Sequence, residues 1–157
     1  MRMLLLWPCL ALSTMASCHD PSTAPLPKTL VRTGTEFGEC GGWCYKELEI
    51  QGTLATFQLR QHYPGTAESL GAALISPDKW RHLERTIDMD ALAAVAGVIG
   101  CPDCSDGGAE WIEVEHAGAR KRVTFEWCDS VPAIQPLVDA ARELREEILS
   151  MPRCPPR

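Results

Sequence analysis

The distribution of cysteines is the feature that most constrains how this chain can fold. The sequence holds eight cysteines, of which Cys9 lies inside an apolar N-terminal segment and Cys18 lies at its end. Six more follow, namely Cys40, Cys44, Cys101, Cys104, Cys128 and Cys154. An even number of cysteines in an exported domain is typical of a disulfide framework. We therefore expect these six to form disulfide bonds.

The pairing of the six cysteines stays open at this point, because they allow many connectivities. Bridges near the two glycine-rich turns are either local, closing CGGWC and CPDC separately, or they cross-link one turn to the other. Cys128 and Cys154 are predicted to form the third pair, with the C-terminal tail folded back along the preceding helix. A free Cys154 is the alternative.

The chain opens on MRMLLLWPCLALSTMASC, which has the character of an export signal. Arg2 supplies a positive charge, and the apolar stretch 4–16 is long enough for a signal-peptide core but too short to span a bilayer. Residues 1–17 are therefore predicted to be a signal peptide. Met15-Ala16-Ser17-Cys18 resembles a bacterial lipobox, in which the cysteine is lipidated and becomes the mature N-terminus. Ordinary signal cleavage at the same small residues is the alternative.

A lipidated Cys18 would anchor the protein to the bacterial membrane, on the periplasmic or cell-surface side. Without lipidation the protein would be a soluble secreted or periplasmic one. Residues 18–28 contain HDPSTAPLPK, which is rich in Pro, Ser and Thr and predicts an extended tether. Residues 29–157 are then predicted to form a single domain held by disulfides, because they suffice for one hydrophobic core.

The charge balance argues against nucleic acid as a partner. The chain carries 15 basic and 21 acidic residues, for a formal net charge of −6. Its one basic run, Arg120-Lys121-Arg122, falls on a predicted hairpin, whereas nucleic-acid binding needs a basic stripe. The predicted partner is the membrane, reached through the lipid, together with an unidentified protein or small molecule.

Two hairpins are predicted with their register. In the first, Gln51-Gly52 forms the turn and Ile50 lies opposite Thr53, which collects the apolar side chains of both strands on one face. In the second, Gly118-Ala119 forms the turn.

The second register places Val114 opposite Val123 and Glu115 opposite Arg122. A further strand is predicted within 29–37. Helices are predicted to begin at Ser76-Pro77 and Pro132, with a short one over 90–98.

This order of elements predicts the α+β class, with an antiparallel sheet of two hairpins plus an N-terminal strand and helices packed on one face. Each half has a cysteine pair before a hairpin and a helix after it. A duplicated ββα unit is a further hypothesis from this order.

The paired cysteines allow three kinds of chemistry. A redox couple of the thioredoxin type follows a strand and opens a helix, but CPDC follows a helix end and precedes SDGG, which cannot continue as a stable helix. A structural zinc site would use Cys40, Cys44, Cys101 and Cys104, although an oxidising compartment favours disulfides. We favour closed turns, because glycine permits the backbone conformations that such turns need.

No catalytic residue and no cofactor are predicted. The sequence has no GxSxG, no HExxH and no phosphate-binding glycine loop. Trp43, Trp111 and Trp127 all lie near cysteines, and an exposed cluster of them would form a binding surface. Packing of these indoles against the disulfides is the favoured interpretation.

The blocks FGECGGWC, CPDCSDGGAEWIEV and RVTFEW resemble a group of small exported bacterial proteins. Many of these are predicted lipoproteins of unassigned function. The resemblance covers most of 35–148, and CPDCxDGGAEW is its most specific part. It implies a bacterial origin and an extracytoplasmic setting, and it brings no activity and no catalytic residues.

Together these features predict a lipid-anchored binding or accessory module of the bacterial cell envelope. The first alternative is an extracytoplasmic zinc-binding protein that uses the paired cysteines. A thiol-disulfide oxidoreductase is the second alternative.

Overall fold

The structure, a computed structural model, describes residues 28–62 and 64–154, so that the predicted signal peptide, Cys18 and most of the predicted tether lie outside the described residues. Within these ranges it confirms the α+β class, with one six-stranded antiparallel sheet and three α-helices. The strands are β1 (Thr29–Glu36), β2 (Tyr45–Gln51), β3 (Leu54–Arg60), β4 (Ser69–Leu74), β5 (Ala109–His116) and β6 (Ala119–Glu126). The helices are α1 (Pro77–Arg85), α2 (Met89–Ala94) and α3 (Gln135–Leu149).

The sheet is arranged around β1. Its strand order is β4-β3-β2-β1-β5-β6, and all neighbouring strands are antiparallel. Since β2 and β5 both pair antiparallel with β1, they run parallel to each other and begin at the same end of the sheet. The two glycine-rich turns, which precede β2 and β5, therefore lie at that end.

The helices pack on one face of the sheet, which we call the inner face. Alternate strand residues point to this face, and they meet one buried side chain from each of α1 and α2 and several from α3. The resulting core includes Val31, Leu48, Ile50, Ile112, Val123, Phe125, Leu83, Leu92, Leu137 and Val138. The opposite face, which we call the open face, is covered by no helix of the described chain.

The register of the first hairpin differs from the prediction by two residues. Ile50 pairs with Ala55, and the turn is Gly52-Thr53. Gly52 adopts a positive φ of 61°, in the left-handed region that glycine enters without strain. Because side chains alternate with a period of two, this shift leaves Leu48, Ile50 and Ala55 facing the core.

The second hairpin is displaced in the same way. Its turn is Ala117-Gly118, and both residues have positive φ, 50° and 84°. A two-residue turn that matches the strand twist needs positive φ at both positions. Val114 therefore pairs with Lys121 and Glu113 with Arg122, each two residues from the predicted partner.

One strand was not predicted, and one helix is shorter than predicted. The segment SLGAAL forms β4, although its leucines point away from the core. The helix α2 ends at Ala94 rather than at Val98, because residues 97–99 leave the helix and pair with β6. The helix α1 begins as predicted, with Ser76 Oγ accepting a hydrogen bond from the Lys79 N–H.

Candidate functional site

The six cysteines beyond Cys18 form three disulfide bonds, which confirms the disulfide prediction. Cys40–Cys44 and Cys101–Cys104 close the two glycine-rich turns, so the local pairing is the one observed. Cys128–Cys154 joins residues 26 apart and brings the C-terminal tail back alongside α3. Two disulfides thus lie in the turns at one end of the sheet, and the third joins the segments before and after α3.

The two closed turns contact each other. Phe37 packs edge-on against Trp127, with 5.4 Å between the ring centroids. The Phe37 ring also lies over Gly108, where an added Cβ would come within 2.2 Å of it. Gly38 lies against the Asp103 carboxylate, and a Cβ there would be 2.7 Å from Asp103 Oδ2. Glycine is therefore required at both positions by close approach.

The CPDC segment is held as a turn by side-chain acceptors. Asp103 Oδ1 accepts a hydrogen bond from the Gly108 N–H at 3.1 Å, and Glu126 Oε1 accepts one from the Cys101 N–H at 3.0 Å. A single 3-10 turn, Cys104–Asp106, follows, and no α-helix begins within 101–108. The helix N-terminus that lowers a thiol pKa in redox motifs is therefore lacking here.

The alternative zinc site would use the cysteines of both turns, Cys40, Cys44, Cys101 and Cys104. Zinc ligation needs thiolates, whereas each of these sulfurs is bonded to another sulfur. Among residues 28–62 and 64–154, no group of three or more His, Cys, Asp or Glu side chains could hold a metal ion. The zinc alternative stays a prediction for a reduced form of the protein.

The three tryptophans proposed as a binding surface lie in different settings. Trp43, in the first closed turn, is 37% exposed. Trp127 packs against Phe37 beside the second turn. Trp111 lies on the open face and is only 1% exposed. Trp111 therefore contributes almost no exposed surface to such a cluster.

Trp111 is buried by side chains of the sheet itself. Gly34, its neighbour across the β1–β5 ladder, leaves room for the indole, since a Cβ there would lie 2.6 Å from Trp111 Cζ2. The Arg122 guanidinium lies 3.9 Å from the ring centroid, and Tyr45 stacks beside the indole at 6.3 Å. Such cation–π and aromatic contacts stabilise a ring at the surface. We call Tyr45, Trp111 and Arg122 the aromatic–arginine cluster.

Replacing Gly34 by alanine is expected to lower the free energy of unfolding by about 1–3 kcal/mol, the usual cost of overpacking. The added Cβ would lie 2.5 Å from the Lys46 carbonyl oxygen and 2.6 Å from the indole. Urea unfolding measures the change. Gly41→Ala is the matched control, since no atom lies within 4 Å of its Cβ position. Equal stability of the two variants would contradict the packing described for Trp111.

A chain of ion pairs crosses the open face next to this cluster. Arg32 bonds Glu49 at 2.7 Å and Glu113 at 2.9 Å, and Arg120 bonds the second oxygen of Glu113 at 2.9 Å. Burial alone would raise the pKa of Glu113, but hydrogen bonds from Arg120 and Arg32 outweigh it and lower that pKa. Glu113 is therefore a carboxylate on the open face that is ionised at neutral pH and bonded by two arginines.

The open face also contains a shallow depression over β2, β3 and β4. Its volume is about 500 Å³, within the range of small-molecule sites. The lining combines carboxylates, neutral polar groups and apolar side chains: Glu47, Glu49, Thr56, Phe57, Gln58, Leu70, Gly71 and Ala72. Glu47 accepts a hydrogen bond from the Tyr45 hydroxyl at 2.5 Å, which links the depression to the aromatic–arginine cluster.

A cluster of buried charges lies on the inner face. Glu110, on β5, is 1% exposed and accepts hydrogen bonds from two arginines of α3. Arg142 bonds both of its oxygens, at 2.6 to 3.0 Å, and Arg145 bonds Oε1 at 2.5 Å. Arg145 also donates to Thr33 Oγ1 at 2.7 Å. We call Glu110, Arg142 and Arg145 the buried triad, and it ties α3 to the middle of the sheet.

The charges of this buried triad shift two pKa values. Burial alone would raise the pKa of Glu110, but the hydrogen bonds and charges of Arg142 and Arg145 outweigh it and lower that pKa. Lys46 lies on the same face, and burial together with the Arg145 charge lowers its pKa. Both oxygens of Glu110 are occupied, so this carboxylate holds the fold together rather than acting on a substrate.

The buried triad was not predicted from the sequence, although two signals point to it. Glu110 falls on the apolar side of the predicted hairpin, in phase with Ile112 and Val114. Arg142 and Arg145 fall near the apolar stripe of the last helix. Charges in phase with apolar side chains on two elements predict a buried ion pair between them.

Comparisons with known proteins identify no family for this chain. No family model matches it. No curated protein matches it either. Within the part of the chain that the structure describes, no helix is long and apolar enough to cross a membrane.

Proposed function

We propose that this protein is an exported, lipid-anchored binding or accessory module of the bacterial cell envelope. The observation that carries the proposal is the complete pairing of six cysteines in a chain whose first residues have the character of an export signal. Disulfides persist in oxidising compartments outside the cytoplasm. Lipidation of Cys18 would hold the domain at the membrane, with 18–28 as its tether.

The open face is the binding surface that the geometry supports best. It presents a depression of about 500 Å³ beside fixed charges and a stacked aromatic cluster. The carboxylates of Glu47 and Glu49 favour a ligand that offers hydrogen-bond donors or a positive charge. Leu70 and Ala72 add an apolar contact at the other side of the depression.

The finer arrangement of the fold is also part of the proposal. We propose that the domain contains a duplicated ββα unit. Each half consists of a cysteine-closed turn, the hairpin that follows it and a helix. The support is that β2 and β5 flank β1 and begin at the same end of the sheet. In such an arrangement the two turns would lie side by side and could contact the same partner.

Replacing Cys18 by serine is expected to abolish incorporation of labelled acyl chains and to release the protein from the membrane fraction. Thioether lipidation requires the thiol, and a stable anchor requires more than one acyl chain. Cys9→Ser is the matched control, because Cys9 leaves with the predicted signal peptide. Labelling that persists in Cys18→Ser, or that is absent from the unmodified protein, would remove the anchor from this account.

A further inference from the structure

The two edges of the sheet are protected very differently. Residues 97–99, in the segment between α2 and β5, cover β6, with the Thr124 N–H donating to Gly97 O and the Ile99 N–H to Thr124 O, both at 2.9 Å. That strand also carries Arg120-Lys121-Arg122. No described segment covers β4, and Ser69–Leu74 contains no charge and no proline. Natural sheets usually block an exposed edge by one of these devices.

The large side chains of β4 point into solvent. Leu70 is 72% exposed and Leu74 is 81% exposed. Leu54, which pairs with Leu74 across the β3–β4 ladder, is also exposed. With Ala72 between the two leucines of β4, these residues form one apolar patch on the open face. Contiguous apolar surface of this kind marks a site of association.

The backbone groups at this edge have a fixed phase. The Ile75 N–H donates to the Thr53 carbonyl oxygen at 3.0 Å, one step beyond the last pair of the β3–β4 ladder. Bonded and non-bonded pairs alternate along an antiparallel ladder. The odd-numbered residues of β4 therefore bond to β3, and the N–H and C=O groups of Leu70, Ala72 and Leu74 point to the uncovered edge.

We propose that β4 pairs antiparallel with β4 of a second copy of this chain, with the two Ala72 residues facing each other across the two-fold axis. In this register Leu70 of each copy lies opposite Leu74 of the other, and Ala72 lies opposite its own equivalent. The same three residues carry the outward backbone groups, so the hydrogen-bond phase and the apolar pairing agree. The inference concerns the domain and does not depend on lipidation of Cys18.

The remaining contacts in this register are compatible with pairing. Gly71 lies opposite Ala73 on the inner side, so the facing side chains there are small. Glu68 comes opposite Ser76, so no like charges face each other across the new ladder. A two-fold interface uses the same patch on both copies, and β4 is self-complementary in this sense.

The tether is a poor alternative occupant of this edge. HDPSTAPLPK contains three prolines. Proline has no N–H to donate and is confined to sheet edges and bulges. Nothing on this chain specifies a strand of an unrelated protein. A second copy of β4, in contrast, supplies leucines that match Leu70 and Leu74. These alternatives become outcomes of the experiments.

The first test is the mass of the full exported chain by sedimentation equilibrium in density-matched detergent. The unmodified protein is expected to have twice the monomer mass, and Leu74→Lys to reduce it to the monomer mass. Val98→Lys is the matched control, since Val98 is 62% exposed at the opposite edge, and it should stay dimeric. A monomer at every soluble concentration, or a dimer that survives Leu74→Lys, would overturn the proposal.

The second test is covalent trapping in intact membranes. Ala72→Cys is expected to form an intermolecular disulfide, because a hydrogen-bonded antiparallel pair has a Cα separation of about 5.5 Å. Thr56→Cys is the control: Thr56 pairs with Ala72 in the monomer, and the two copies of Thr56 would be about 14 Å apart across three strand spacings. Equal trapping of both variants, or trapping of neither, would contradict the β4 pairing. A heterologous adduct at position 72 would instead identify an unrelated partner strand.

Discussion

Replacing Glu110 by glutamine is expected to lower the free energy of unfolding by about 3–5 kcal/mol, the cost of leaving a buried charge without its partner. Glutamine keeps the size of the side chain, but it leaves the guanidinium groups of Arg142 and Arg145 without their carboxylate. Urea unfolding at neutral pH measures the loss. Glu49→Gln is the matched control, because Glu49 pairs with Arg32 in partial exposure and should cost at most about 1 kcal/mol.

The pH dependence provides a second readout of the same substitution. The pKa of Glu110 in the folded protein lies below its ordinary value of 4.5. The carboxylate therefore stabilises the fold fully above that pH, and the stabilisation is lost as the pH falls through the folded pKa. Since Glu110→Gln has no carboxylate to titrate, its stability should fall less steeply below pH 4.5. Parallel acid-unfolding curves would contradict the role given to Glu110.

Removing the Cys128–Cys154 bridge by a double serine substitution is expected to cost about 3.5 kcal/mol, from the chain-entropy relation for a loop of this length. The bridge joins cysteines 26 residues apart and encloses α3, which carries both arginines of the buried triad. Chemical denaturation of the oxidised proteins measures the loss.

The double serine variant at Cys40–Cys44 is the control for this prediction. That bridge joins cysteines 4 residues apart, and the same relation gives about 2 kcal/mol. A loss at Cys128–Cys154 that is no larger than the loss at Cys40–Cys44 would show that this bridge does not constrain the unfolded chain as proposed.

The sequence predicts which residues face the core better than it predicts their partners. Alternation in β2 and β3 determines the face of each side chain, and a shift of two residues does not change that face. The true register depends on turn geometry, in particular on the positive φ of Gly52 and Gly118. Choosing between two neighbouring positions for each turn requires backbone conformation, which apolar periodicity does not contain.

Two other features of the structure do not follow from apolar periodicity or cysteine spacing. The leucines of β4 face solvent, so SLGAAL does not show the inward apolar alternation of a half-buried strand. The local pairing of the cysteines in CGGWC and CPDC is a matter of distance, and spacing alone allows a cross-link between the turns equally well. The even count of six, together with the predicted export signal, did favour disulfides over a zinc site, and all six cysteines are bonded.

The central proposal for this protein is that it is an extracytoplasmic domain closed by three disulfides. Its most direct test is the intact mass of the exported protein, with and without reductant, together with metal analysis. We expect the native mass to be lower than the reduced mass by six hydrogens, two for each of the three disulfides, and no stoichiometric metal. Free thiols with one bound zinc ion per chain would contradict the account.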